Sequence, residues 1–297
     1  MRIIVKEHVI YSFNPDNPIR YEVADGETFW VEMDDCYGGQ IKDKETLRPN
    51  IDLSVVDAAV GPIGISGAKA GDALCVEILD IKLAAQGVMV TSPGLGVLGR
   101  MITVPDTKII PISNCMAHFS DNIKLPLTPM LGVIGVSPDS GDVHCAIPGN
   151  HGANMDTKAI TIGSKVYLPV AVDGAGLAVG DLHACMGDGE ASGTGIEIAG
   201  KVCLKTVVIK NHPLKRPAVE TADSIYTIAS ASRLEDAIPV AVDDMCKLIM
   251  QKKQLAFQDA YRIVSAVCDI QISQVVNAAR TVRVRAPKAI LGIVSFL

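Results

Sequence analysis

Along the first two thirds of the chain, short runs of β-branched and aliphatic residues alternate with Gly, Pro, Asp and Asn, the punctuation of strands and tight turns. The pattern predicts strands at Arg2–Val5, Val9–Phe13, Arg20–Val23, Thr28–Met33, Ala73–Leu83, Val88–Val90, Ile109–Ile112, Lys165–Val170 and Gly200–Ile209. In Ala73–Leu83, strict alternation puts Leu74, Val76, Ile78, Asp80 and Lys82 on one face and Cys75, Glu77, Leu79, Ile81 and Leu83 on the other. Both faces are mostly apolar, so this strand is expected at the centre of a sandwich. Gly71-Asp72 and Gly180-Asp181 read as turns that each launch an extended segment.

From Leu234 the spacing changes. Ala237, Ile238, Ala241, Val242, Met245, Leu248 and Ile249 recur at helical intervals. Ser232 with Glu235 offers a capping box, and Pro239 predicts a kink or a later start. A second helix is predicted around Gln258–Val267, followed by strands in CDIQISQVV and Thr281–Arg285. The fold class is therefore mainly β and β-sandwich-like with a smaller C-terminal α/β portion, α+β overall. A β-rich body over 1–230 is expected to carry the chemistry, with a helix-helix-strand portion over 231–297 packed on it and not independent.

The composition narrows the functional classes. With 297 residues, 48% of them hydrophobic and 20% charged, the chain can bury a substantial core. Aromatics are 4%, so that core rests on Val, Ile, Leu and Ala. A net charge of -6 without a basic stripe argues against nucleic acid and anionic lipid as partners. No apolar run is long enough to span a bilayer, and Lys6, Glu7 and His8 interrupt the first apolar run before a signal-peptide core forms. The eight cysteines form no CxxC pair and read as reduced thiols, which places the protein in the cytoplasm. Gly94-Leu-Gly-Val-Leu-Gly99 matches a dinucleotide fingerprint, but Arg100–Pro105 reads as strand where a helix should follow.

Three polar, Gly-rich stretches carry the candidate chemistry: Met33–Gln40, Pro148–Asp156, and Gly180–Glu190 running on to Glu197. In the third, His183, Asp188 and Glu190 fall within eight residues. An imidazole with carboxylates is ligation suited to zinc or another divalent ion that leaves a position open for water. Asp35 offers a further ligand. His151 and Asp156 add a base or proton shuttle, and the Asn150 and Asn154 amides can steady an oxyanion. Other readings stay open. Asp188 and Glu190 could hold calcium through carboxylate oxygens, making the chain a binding module without turnover, and Cys185 or Cys145 could act as a nucleophile.

These stretches resemble the acetamidase/formamidase family. The matching segments are PGNHGANMD at 148–156, GDLHACMGDGE at 180–190, and Asp35 with Gly38-Gly39-Gln40. Further matches are the turn at Gly61–Ile63, GDALCVEILDI at 71–81, LGVIGVSP at 131–138, and the closing AYRIVSAVCDIQISQVVN. Ala153 departs from that family's usual second glycine. The resemblance covers essentially the whole chain. It implies hydrolysis of short aliphatic amides such as formamide and acetamide, a fold containing a β-sandwich, and a homo-oligomer built from dimers. It also implies a polar cluster of Asp35, His151, Asp156, His183, Asp188 and Glu190, with metal-activated water as the leading mechanism.

Overall fold

The computed structural model describes residues 1–297. The elements that position the site are β1 (Thr28–Met33), β2 (Ala59–Ile65), β3 (Ala73–Thr91), β4 (Met130–Gly135), β5 (Gly152–Asn154), β6 (Lys165–Pro169), β7 (Leu177–His183), β8 (Glu197–Ile209), β9 (Ala218–Glu220), β10 (Ser224–Ala231), α1 (Leu234–Lys253), α2 (Phe257–Val267), β11 (Asp269–Gln274) and β12 (Arg280–Pro287). The chain is mainly β and α+β overall, as its patterning predicts.

Two layers enclose the main core. In one, β8 lies antiparallel between β1 and β3, and β3 pairs onward with β6. In the other, β7 pairs with β2 and β4, and β4 with β5. Val31, Leu74, Val76, Ile78, Val202 and Leu204 from the first layer pack against Val60, Ile63, Leu131, Ile134, Leu177 and Val179 from the second. The layers join where His183 at the end of β7 pairs with Glu197 at the start of β8.

β3 does not stop at Leu83 but runs on to Thr91, absorbing Val88–Val90. A register shift opposite Cys203 and Leu204 drops Leu79 out of the ladder and leaves it 43% exposed. That bulge reverses the alternation, so Ile78 and Ile81 join one core although strict alternation separates them. Three expected turns and strands are corrected. Gly61–Ile63 lies inside β2, and Gly180-Asp181 lies inside β7, since both segments are paired on the sheet. After Gly99 the chain makes a short 3-10 turn to Met101, and the next strand begins only at Asp106.

A second core joins α1 and α2 to the sheet continuation β9–β10–β12–β11. Ile225 and Ala229 of β10 and Val282 and Val284 of β12 meet Ala237, Ala241, Met245 and Ile249 of α1 and Ala260 and Val264 of α2. The capping box is not formed: Arg233 occupies the cap position with no side-chain hydrogen bond. α1 starts at Leu234 and continues through Pro239, in its second turn, where a missing N–H removes one backbone bond. No helix is long and apolar enough to cross a membrane. The two cores meet at Gly189, whose N–H donates to Ser273 O (2.9 Å) and whose carbonyl accepts from Val275 N–H (3.1 Å).

Candidate active site

The pairing of β7 with β8 brings His183 and Glu197 together at the layer junction, with Asp181 two residues earlier on the same strand. His183 is 1% exposed, and its Nε2 lies 3.2 Å from Asp181 Oδ1 and 3.1 Å from Glu197 Oε2. Asp156 follows β5, and Glu190 sits on the loop between β7 and β8. Ligand atoms of Asp156, His183 and Glu190 all lie within 4.8 Å of one another. Asp156, Asp181 and Glu190 have φ of 42°, 57° and 48°, a backbone region that non-glycine residues seldom adopt and that concentrates at functional sites.

Small residues make room for this convergence. Gly132 on β4 lies opposite Asp181, and a Cβ there would stand 2.6 Å from Asp156 Oδ1 and closer still to Asp181 Oδ2. A Cβ on Gly195 would meet the His183 ring at 2.8 Å. Two amides hold Asp156. Asn277 Nδ2 donates to its Oδ2 (3.0 Å). With donors matched to acceptors, the Asn154 amide donates to both Asp156 oxygens (2.8 and 2.9 Å) and to Asp181 Oδ2 (3.3 Å).

The electrostatics follow from crowding carboxylates out of water. Burial, then the Asp181 charge, raises Asp156 to about 7. Burial raises Glu197 to about 8 against the pull of His183. Asp57, on the cavity wall, reaches about 8 through burial and the charges of Asp181 and Asp156. Burial and the Asp156 charge push Glu190 well above the carboxylate range. Burial opposes the charged form of His183, but Glu197 and Asp181 outweigh it and raise the imidazole well above its ordinary value. His183 in turn holds Asp181 low despite its burial.

This donor set fits a cation. His183 Nδ1 and Glu197 Oε2 are buried without hydrogen-bond partners, a state that buried polar atoms rarely tolerate. One Nε2–H cannot serve both carboxylates beside it. Imidazole backed by carboxylates is also the arrangement that orients a metal-ligating histidine. The cluster borders a cavity of about 270 Å³ whose wall includes Tyr37, Arg48, Leu95, Ile147, Val276 and Asn277.

Of the residues singled out in the sequence, the structure brings together Asn154, Asp156, His183 and Glu190. It does not bring the others to this cluster. Asp188 forms two 2.8 Å bonds to the buried Arg283 guanidinium. Asp35 Oδ1 accepts from the N–H groups of Tyr37 and Gly39 (3.0 Å each), closing its own turn. Asn150 is exposed. His151 is 7% exposed, stands edge-on to Phe13 at 5.2 Å, and has a pKa lowered to about 4 by burial. Cys145 donates to Ile10 O from an apolar cluster, and burial raises the thiols of both Cys145 and Cys185, the reverse of nucleophile activation. Sequence reasoning missed Asp181, Glu197, Asp57 and Asn277. The i, i+2 placement of Asp181 and His183 on one strand was the available signal, obscured by reading Gly180-Asp181 as a turn.

Residues 5–143 and 140–292 match the model of the Acetamidase/Formamidase family. The crystal structure of an acetamidase from Bacillus halodurans superposes with a TM-score of 0.96 at 40% identity, over 99% of this chain and 99% of that one. A formamidase of Methylophilus methylotrophus is 30% identical over 84% of this chain and 76% of its own length. An acetamidase of Mycolicibacterium smegmatis is 28% identical over 67% of this chain and 65% of its own length. The chain spans between 63% and 76% of the lengths of the curated relatives it matches. With a family model spanning nearly its whole length, the chain belongs to the acetamidase/formamidase family.

Proposed function

We propose that this chain hydrolyses short aliphatic amides, formamide and acetamide first among them, to carboxylate and ammonia, with a divalent cation held by Asp156, His183 and Glu190. The observation that carries the reading is the buried cluster itself: an imidazole with an unpartnered nitrogen, and carboxylates whose ligand atoms lie within 4.8 Å of it. The imidazole favours zinc over calcium, which takes oxygen ligands. At about 270 Å³ the cavity falls below the size of drug-sized ligand sites, and Val56, Leu95, Ala146 and Ile147 give it an apolar wall suited to a short acyl group.

When bound, the cation would supply a water of near-neutral pKa and polarise the amide carbonyl. The protein does the rest. Asp181 and Glu197 fix the His183 ring, while Asn154 and Asn277 hold Asp156 in place. Glu190, whose carboxyl is pushed up by burial and by the Asp156 charge, is the group that in its ionised form takes a proton from the attacking water and returns it to the departing nitrogen.

Ammonia release from formamide and acetamide, measured before and after exhaustive chelation, tests the reading. Activity should vanish with the metal and return with zinc. His183→Ala should lose metal and turnover together, and Glu190→Gln should lower kcat by roughly two to four orders of magnitude. Full turnover by chelated, metal-free protein refutes the metal, and no ammonia from any short amide refutes the substrate class. The same reading takes the enzyme to be cytoplasmic and homo-oligomeric. Eight free cysteines support the first. An apolar groove of about 710 Å³ lined by Phe257 and Tyr261 of α2 and Ile238 and Val242 of α1 supports the second.

A further inference from the structure

The cavity holds more ligand atoms than one ion uses. Beyond Asp156, His183 and Glu190, a second group lies beside it: Cys36, Asp181 and Glu197, all buried, with ligand atoms within 4.8 Å of one another. Cys36 reaches the cavity wall because the turn closed by Asp35 carries the chain past the end of β1. Glu197 is 2% exposed, and its Oε2 has only the His183 Nε2 that Asp181 also faces, 3.1 Å away, with no hydrogen bond formed to it.

Asp181 links the two groups. Its Oδ1 faces His183 Nε2 at 3.2 Å, and its Oδ2 shares the space over Gly132 with Asp156 Oδ1. Charge points the same way. Asp57, Asp181, Glu190 and Glu197 line the cavity, with Asp156 grouped beside Glu190, and Arg48 is the cationic side chain on its wall. One divalent ion balances two of these carboxylates, and a second would neutralise two more in a water-poor site.

We propose that Cys36, Asp181 and Glu197 hold a second divalent cation, with Asp181 shared between the two ions. A thiolate ligand selects a soft or borderline ion of the zinc and cobalt class over magnesium or calcium. The proposal rests on the one-cation reading above and extends it. It gives Cys36 a ligating role in place of a packing one, and it gives the β7–β8 junction two ions to hold in place of one.

The test is metal content of the purified full-length protein after desalting, combined with the absorption spectrum of the cobalt-substituted protein. Two equivalents per chain are expected, with a thiolate-to-cobalt charge-transfer band in the near ultraviolet. Cys36→Ser should abolish the band, and Glu197→Gln should reduce the content to one equivalent. Should Glu197→Gln fail to fold, the wild-type stoichiometry and the band in wild type against Cys36→Ser still decide. A single equivalent in wild type overturns the second ion, as does a band absent from wild type or unchanged in Cys36→Ser. Metal-free protein with full amidase activity would instead sink the reading on which this one rests.

Discussion

His151 offers a test that separates packing from chemistry. The side chain is 7% exposed, its Nε2 has no partner, and burial lowers its pKa to about 4 from the ordinary 6.5. The folded state therefore keeps the ring neutral where the unfolded chain would protonate it. Because the folded pKa is depressed, the unfolded chain binds more protons between pH 6.5 and 4, and stability falls as pH drops through that window. The full shift corresponds to about 3.4 kcal/mol, of which about 2.5 kcal/mol is lost by a pH of about 4.5. His151→Leu removes the titration and the orphaned nitrogen, at the expense of an edge-on contact with Phe13 worth about 0.5–1.5 kcal/mol. Urea unfolding followed by far-ultraviolet circular dichroism should show the variant at or slightly below wild type near neutrality. At the acid end of the window it should be about 1–2 kcal/mol more stable, the difference between those two magnitudes. Amide turnover near neutrality should stay within a few-fold of wild type. Parallel stability curves would refute the buried-neutral assignment. Loss of turnover in a folded, metal-replete variant would return His151 to the reaction.

Two further substitutions probe the cluster. Gly132→Ala places a Cβ 2.6 Å from Asp156 Oδ1, so metal affinity measured by chelator competition should weaken roughly 10- to 100-fold, whereas unchanged affinity would mean that the carboxylates relax freely. Asp188→Asn removes the charge facing Arg283, so thermal unfolding should show a loss of roughly 1–3 kcal/mol. Its metal content should stay unchanged, and metal loss in the folded variant would restore Asp188 to the ligand set.

The β-rich body, the late helices and three members of the cluster were legible in the sequence, for identifiable reasons. Asp156, His183 and Glu190 stand in Gly-rich segments where polar side chains have no core role to explain them. Asp188 looks identical to Glu190 on that criterion. What separates them is Arg283, 95 residues further along and invisible to local pattern. Asp181 was hidden for the opposite reason: every residue of β7 is buried, and a polar residue preceded by glycine reads as a turn unless its pairing with β4 is known. Glu197 opens β8 at the end of a Gly-rich loop and gains its role only from the β7–β8 pairing. The bulge at Leu79 is likewise a property of two strands together, so no reading of β3 alone could place Ile81 beside Ile78.

The meeting of the two cores at Gly189 has a consequence for how substrate range can change. The proposed ligand atoms come from the first layer pair and its connecting loops, whereas Val276, Asn277 and Ala278 enter the same cavity from the segment after β11. Asn277 is bound to Asp156 and is constrained with it. Val276 and Ala278 flank it without touching the ion-binding set through any hydrogen bond of their side chains, which have no polar atoms. Variation at those two positions can therefore widen or narrow that side of the cavity while the residues of the proposed cation site stay as they are.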